Sequence, residues 1–376
     1  MSTFRFEVIY QSKKSRARVG KIHTPHGVID TPNFVAVGTN GTLKALDNDA
    51  VSAVELQLMF CNTYHLLLQP GLEVVKKAGG LHAFINRKGP IITDSGGFQV
   101  FSLAYGSVAS ELKSKGTKKS EGSVIKISEE GVLFRSYRDG AKIMLTPESS
   151  IQAQKIFGAD IIIPLDELPP YHIASDELKK SLARTHRWEK RSLEEHLKDK
   201  KNQALYAVIH GGVDKMLRKE SCEYLSSLPF DGFAVGGSLG KDRDEMVDML
   251  QFLTPFLPED KPNHLLGIAD LPSLQKCVPL GFDTFDSSYP TKSARHGVVF
   301  TKNGPLKLTQ GSNVHAFDPI EEGCNCLACR CFTRGYLHHL FKAKEQTAGS
   351  LASIHNLHYM VRLMKNYREA ILNDSL

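Results

Sequence analysis

No stretch of the 376-residue chain reaches the roughly 18 uncharged apolar residues of a membrane-spanning helix, so no membrane association is expected. The opening MSTFRFEVIYQ has no apolar core of the secretory kind, so export is not expected either. A disulfide framework is missing too. There are seven cysteines, an odd count, and Cys61, Cys222 and Cys277 are scattered in apolar surroundings. That usage points to a reducing cytoplasm. No internal repeat is evident. Neither sign of charge dominates: 47 basic against 41 acidic residues leave +6, with an isoelectric point near 8.8. The balance mildly favours a polyanionic partner. With 41% hydrophobic and 23% charged residues, the chain is an ordinary globular protein with a large core.

Eight short apolar runs are present, most of them ending at a glycine or a polar cluster: 34–37, 56–60, 91–93, 161–165, 205–209, 232–235, 264–267 and 283–285. Segments with helical spacing separate several of them, such as 149–158, 176–197 and 214–228. Runs too short for helices, alternating with amphipathic helices, read as βα units. Eight such units suggest a (β/α)₈ TIM barrel, with chemistry at the C-terminal strand ends; a doubly wound open sheet is the alternative. The first thirty residues look like a hairpin ahead of the first barrel strand. The long third-to-fourth interval contains ELKSKGTKKSEGS (111–123), a basic loop that reads as solvated first and as a nucleic-acid handle second. Residues 1–310 are therefore assigned to the barrel and its hairpin. Residues 311–376 are assigned to a zinc-binding helical subdomain packed on it.

GCNCLACRCF places Cys324, Cys326, Cys329 and Cys331 within eight residues. The first three, as Cys-x-Cys-x-x-Cys, let three thiolates converge on one Zn²⁺, which takes four N or S ligands in a structural site. Candidates for the fourth are Cys331, His338, His339, His355 and His358. If a helix begins at Cys329, then Cys331 points to another side of it. The following residues read as one helix, a break near Gly349 and a second helix, a hairpin that could return His355 to the thiolates. Cys324, Cys326, Cys329 and His355 are therefore the expected ligands. Such a site is closed, so its metal is expected to be structural and the chemistry to lie elsewhere.

Asp94, Asp166 and Asp286 each follow an apolar run directly, where a barrel would converge them on its top face. For one position alone, a loop-capping aspartate is the commoner explanation. Three equivalent positions beside glycine-rich loops suggest acid–base work or a carboxylate nucleophile, for instance on a sugar C1′. In DSGGFQ, Gly96 and Gly97 allow close backbone approach, and Phe98 offers a face for a planar base.

With DSGGFQVFSL (94–103), AVGG (234–237), FDSSYPTKSAR (285–295) and Cys-x-Cys-x-x-Cys followed by HN (355–356), the chain resembles the bacterial-type tRNA-guanine transglycosylases. NTYHL (62–66), GTNGTLKAL (38–46) and LDE (165–167) fit as well, and the likeness runs in order along nearly the whole chain. It implies a (β/α)₈ barrel with a zinc-binding insertion, and exchange of guanine at the wobble position, 34, of GUN-anticodon tRNAs for a 7-deazaguanine. These are the tRNAs for aspartate, asparagine, histidine and tyrosine. By resemblance Asp286 is the nucleophile on ribose C1′ and Asp94 the general acid/base. Asp94, Ser95, Gly96, Gly97, Phe98, Asp166, His210 and Gly237 form the base site. Asn62, Gly267, Ile268, Ala269, Thr291, Lys292, Ser293, Ala294 and Arg295 face tRNA. The same zinc ligands are implied, together with a homodimer.

The chain departs from the family's usual pattern at several points. His210 stands where Gln is usual, and Leu168 stands where bacterial members usually have Cys. By the same resemblance, the loop after AVGG, at Ser238–Gly240, is one residue shorter than usual. These bear on the choice between 7-aminomethyl-7-deazaguanine and the larger queuine. Asp270 follows the seventh run where Lys is common, and Lys292 replaces an Arg. Two rival readings are a non-catalytic tRNA-binding subunit of the same fold and a metal-dependent barrel hydrolase. The first would lack Asp94 or Asp286. The second would need an open metal site at the strand ends, yet no H-x-H follows the first strand.

Overall fold

The computed structural model describes residues 4–105 and 124–376. The basic loop expected at 111–123 lies outside the described residues. Three antiparallel strands open the chain: β1 (Arg5–Gln11), β2 (Arg18–Thr24) and β3 (Gly27–Thr31). The expected hairpin is thus β2–β3, extended by β1.

A closed parallel barrel follows. It runs β4 (Asn33–Val37), β5 (Met59–Cys61), β6 (Ile91–Thr93), β10 (Ile161–Ile162), β11 (Ala204–Ile209), β12 (Gly232–Val235), β13 (Asn263–Leu265) and β14 (Thr284–Ser287), and β14 pairs back onto β4. The barrel, rather than the open sheet, is therefore the fold. Each strand lies within or beside one of the eight apolar runs. They are legible because strands covered on both faces are apolar throughout: β11 is buried along its whole length. Between β6 and β10 a second antiparallel sheet forms from β7 (Val124–Ile127), β8 (Val132–Arg135) and β9 (Lys142–Leu145). Its strands are only four residues long and mix charged with apolar positions, so nothing in that stretch read as a strand.

The three helices expected from spacing occupy Pro147–Phe157, Ser175–Lys198 and Lys215–Ser226. Two carry clear start signals. Thr146 and Ser149 form a reciprocal capping box with Pro147 at the first turn, and Asp214 accepts from the amides of Met216 and Leu217.

Two carboxylates sit at strand starts, on the face opposite the strand ends. Asp283, just before β14, is fully buried and paired with Arg18 of β2 at 3.0 and 2.6 Å. Asp160, just before β10, accepts from His26 of the β2–β3 turn at 2.8 Å and lies 3.3 Å from His82. The N-terminal sheet is thereby fastened under the barrel, and losing one partner of such a buried pair is strongly destabilising.

The C-terminal segment contains helices Leu327–Cys331, Arg334–Lys342 and Gln346–Leu372. The expected break near Gly349 falls instead at 343–345, where Lys344 takes a positive φ of 60°. Gly349 lies inside the last helix because that helix packs closely on Arg295: a Cβ there would sit 3.4 Å from the Arg295 Cγ. Packing overrides the helix-breaking tendency of one glycine. The last helix ties this segment to the barrel. The Asn356 amide donates to Pro290 and Val298 carbonyls and accepts from the Phe300 amide, and Arg368 donates to the Pro32 carbonyl.

Candidate active site

A cavity of about 560 Å³ opens at the C-terminal ends of the strands. Asn62, Asp94, Ser95, Phe98, Asp166, Gly237, Gly267 and Asp286 all line it. All three strand-end carboxylates therefore share one site, as the barrel reading requires.

Asp94 follows β6 and is only 7% exposed. Its carboxylate accepts from the Asn62 side chain and the Thr63 amide, both at 2.7 Å, and from the Gly96 amide at 3.2 Å. Burial pushes its pKa up to about 6, and the hydrogen bonds from Asn62, Thr63, Gln99 and Gly96 only partly oppose this. A carboxyl poised there gives and takes protons near neutrality. The fold favours the protonated form. Its stabilisation is therefore present below the unfolded value near 4 and is lost as pH rises through about 6. Asp94→Asn, which cannot ionise, is expected to be more stable than the parent at pH 8 by up to about 3 kcal/mol. At pH 5 the gap should shrink, and urea unfolding at the two pH values measures it. An equal gap at both would contradict the raised carboxyl.

Asp286 lies one residue before the end of β14, and its Oδ1 accepts from the Gly267 amide at 2.7 Å and lies 3.1 Å from His264 Nε2. His264 on β13 is fully buried, and its Nδ1 is 2.8 Å from the Thr284 hydroxyl. Sequence reasoning missed His264. The available signal was its place one residue before the end of β13, at the head of an otherwise apolar run.

The residues expected to bind the base lie at the ends of β6, β10, β11 and β12. Asp166 lies 2.6 Å from His210 Nε2 and accepts from the Ser95 hydroxyl at 3.3 Å. Phe98 stands 54% exposed on the cavity wall. Two glycines are required by space: a Cβ on Gly97 would meet Asp166 O and Leu165 at 3.0 Å, and one on Gly237 (φ 78°) would meet His210 Nδ1 at 2.8 Å. Arg218, fully buried on the helix after β11, donates to the carbonyls of Ile209, Gly212, Gly236 and Ser238. One side chain thus holds both the His210 and the Gly237 loops. Glu189, also fully buried, accepts from the Val208 amide at 3.2 Å, and burial, then the neighbouring Asp166, raises it well above the usual carboxylate range. Neither Arg218 nor Glu189 stood out in the sequence, because a charge in an amphipathic helix reads as solvated.

The residues expected to face tRNA divide. Gly267 and Lys292 are exposed, and Ile268, Ser293 and Arg295 are half-buried. Ala269, Thr291 and Ala294 are buried, so their side chains offer a ligand no surface; they support the exposed neighbours instead. Asn62 is 7% exposed, with its amide directed at Asp94. The Arg295 Nη1 is buried without a hydrogen-bond partner among the described residues, and burial lowers its pKa. Asp270 caps the helix Leu271–Cys277 through the Ser273 amide and accepts from Arg243 at 3.0 Å, which is the loop-capping role.

Away from the cavity, ligand atoms of Cys324, Cys326, Cys329 and His355 all lie within 4.8 Å of one another. His355 Nδ1 is 3.8, 3.5 and 3.3 Å from the three sulfurs, while Nε2 donates to the Phe300 carbonyl at 2.7 Å. That bond fixes the tautomer and leaves the Nδ1 lone pair facing the thiols, the arrangement a metal ligand needs. The four residues fit a metal ion. Cys331 is exposed and is not part of the group. Cys61, Cys222 and Cys277 are buried, and burial raises their thiols to about 12, 11 and 12.

A closed parallel barrel, carboxylates from three strand ends in one cavity, and a separate Cys₃His cluster define a (β/α)₈-barrel enzyme whose C-terminal segment could hold a metal ion. The family model described as queuine tRNA-ribosyltransferase matches residues 12–376. A queuine tRNA-ribosyltransferase of Protochlamydia amoebophila is 69% identical over 374 residues, covering 100% of this chain and 97% of the relative. Enzymes of that name from Chlamydia abortus and Chlamydia felis are each 56% identical over 373 residues, covering 99% of both chains. The chain belongs to the queuine tRNA-ribosyltransferase family and is a pentosyl-transferring enzyme. Among the described residues no helix is long and apolar enough to cross a membrane.

Proposed function

We propose that the protein exchanges guanine at position 34 of GUN-anticodon tRNAs for a 7-deazaguanine, through a covalent ribosyl ester on Asp286. The observation that carries this reading is the meeting of Asp94, Asp166, Phe98 and Asp286 in one cavity. Asp286 attacks ribose C1′ as the bond to guanine N9 breaks, and the departing base takes its proton from Asp94. The incoming base then returns a proton to Asp94, its N9 attacks C1′, and the Asp286 carboxylate leaves. Asp166 accepts from the N1–H and exocyclic NH₂ edge of the base. His210 Nε2 donates to Asp166 and holds that carboxylate toward the base, Gly237 hydrogen-bonds the base through its backbone, and Phe98 stacks on its plane. A non-catalytic tRNA-binding role is disfavoured, because both catalytic carboxylates are present in the cavity.

Queuine is the base we assign. The cavity volume exceeds the needs of a bare purine, and Ser238 of the shortened loop lines its wall. Leu168, also on the wall, trims that space. Zinc is the metal that Cys324, Cys326, Cys329 and His355 would hold, because an S₃N donor set suits it. Bound there, it would brace residues 311–376 as a subdomain on the barrel and take no part in the reaction. A homodimer is supported by exposed apolar residues on this segment: Phe317 is 75%, Leu327 44% and Tyr336 44% exposed, with Phe332 stacked on Tyr336. Unpaired thiols throughout the described residues support a cytoplasmic setting.

The test is exchange against guanine-labelled tRNA. Queuine should displace label from GUN-anticodon tRNAs and leave other tRNAs untouched, in a sample that sediments at twice the chain mass. Faster displacement by 7-aminomethyl-7-deazaguanine would overturn the base assignment. Label loss from tRNAs without GUN would overturn the substrate, and a monomeric mass the dimer.

A further inference from the structure

Thr284 and Asp286 lie two residues apart on β14, so they share a face of the strand, and His264 pairs in register with Thr284 on the adjacent β13. The His264 ring is therefore held alongside both, with one nitrogen for each. A carboxylate only accepts, so the hydrogen lies on Nε2 and is given to Asp286 Oδ1, while Nδ1 is held against the Thr284 hydroxyl. The second donor, the Gly267 amide, reaches the same oxygen. Gly267 has a φ of 74°, left-handed geometry that suits glycine and sets the direction of that amide. The ring is fully buried, so its orientation is fixed by these contacts and not by water.

We infer that His264 is a positioning residue: it occupies Oδ1, makes Oδ2 the attacking oxygen, and speeds breakdown of the ribosyl ester. The inference rests on Asp286 being the nucleophile. In the attack, the Oδ2–C1′ bond forms while the C1′–N9 pair leaves with guanine. In the return, the incoming N9 bonds to C1′ and the C1′–Oδ2 pair goes back to the carboxylate. Oδ1 is a neutral ester carbonyl in the intermediate and shares a full negative charge once the carboxylate is free. Two donors on it hold the charged form more strongly than the ester. They restrain attack slightly and make Asp286 a better leaving group. Removing one should shift the internal equilibrium toward the covalent adduct by roughly tenfold or more, the scale of one hydrogen bond to a charged group.

The experiment traps adduct with GUN-anticodon tRNA, chases it with excess guanine, and reads the band on a denaturing gel. His264→Phe should raise the steady-state adduct fraction, slow the chase roughly tenfold and lower kcat without raising the KM for tRNA. His264→Gln, which restores an N–H donor, should return the chase toward the parent rate. Thr284→Val, a small change within the strand, should slow it by less than His264→Phe, and it gives a second measure if His264→Phe folds poorly. A parent-like chase in both His264→Phe and Thr284→Val, with adduct still absent from Asp286→Asn, would overturn the role of His264 and leave the nucleophile standing. Adduct that persists in Asp286→Asn would overturn both.

Discussion

Asp286→Asn is expected to give no covalent protein–tRNA band and to lose guanine exchange by roughly 10³-fold or more, the scale on which removal of a covalent nucleophile is felt. The substitution is close to isosteric. The asparagine carbonyl still accepts from the Gly267 amide and from His264, so the loop after β13 and the strand end keep their geometry. What disappears is the negative charge and the attacking lone pair. Stability should stay within about 1 kcal/mol of the parent, and tRNA should still bind. The discriminating measurement is a denaturing gel of enzyme with GUN-anticodon tRNA, read beside a thermal melt. A band of undiminished strength in a folded Asp286→Asn protein would remove Asp286 from the chemistry.

The second large effect concerns the Cys₃His group. Cys326→Ser, or prolonged chelation, should release one metal ion per chain and destabilise the protein by several kcal/mol, because metal affinity at such sites is folding free energy. Cys326 and His355 are 3% and 0% exposed, so no solvent replaces the ion. The damage should not stay local. His355 lies one residue before Asn356, which carries three hydrogen bonds to the 290–300 segment. Amide exchange is therefore expected to rise around 324–342 and also along 290–300, close to the end of β14. Cys331→Ser is the control and should change nothing, since that thiol is exposed and outside the cluster. Metal content by elemental mass spectrometry identifies the ion. An unchanged melting temperature in Cys326→Ser with the metal gone would contradict a structural role.

How much was legible in the sequence depended on how local the cause was. The eight barrel strands were readable because each falls within or beside a short apolar run, and the helix at 147–157 because residues 149–158 have helical spacing. Asp94, Asp166 and Asp286 were readable because they follow those runs directly. The sheet β7–β9 was not, since its short strands depend on packing against helices distant in the chain. Gly349 misled for the same reason: its close approach to Arg295 belongs to the tertiary fold. The site shows the same divide. Motifs named the residues that point into the cavity, whereas His264, Arg218 and Glu189 act from behind it. Their partners lie on neighbouring strands and loops, so no spacing rule in one segment reveals them. Burial likewise decided that Ala269, Thr291 and Ala294 lie beneath the surface that Lys292 and Gly267 present.

Arg218 has a consequence for how base choice can drift. Four carbonyls, one at the end of β11, one from the loop after it and two from the loop after β12, converge on one guanidinium. The two walls of the proposed base site are thereby yoked. A substitution in Ser238–Gly240 that opens room on one side will pull on His210 on the other, so changes to the two loops should be strongly non-additive. Under the proposed base assignment, a lineage altering its base preference is expected to revise the loops after β11 and β12 together rather than one at a time.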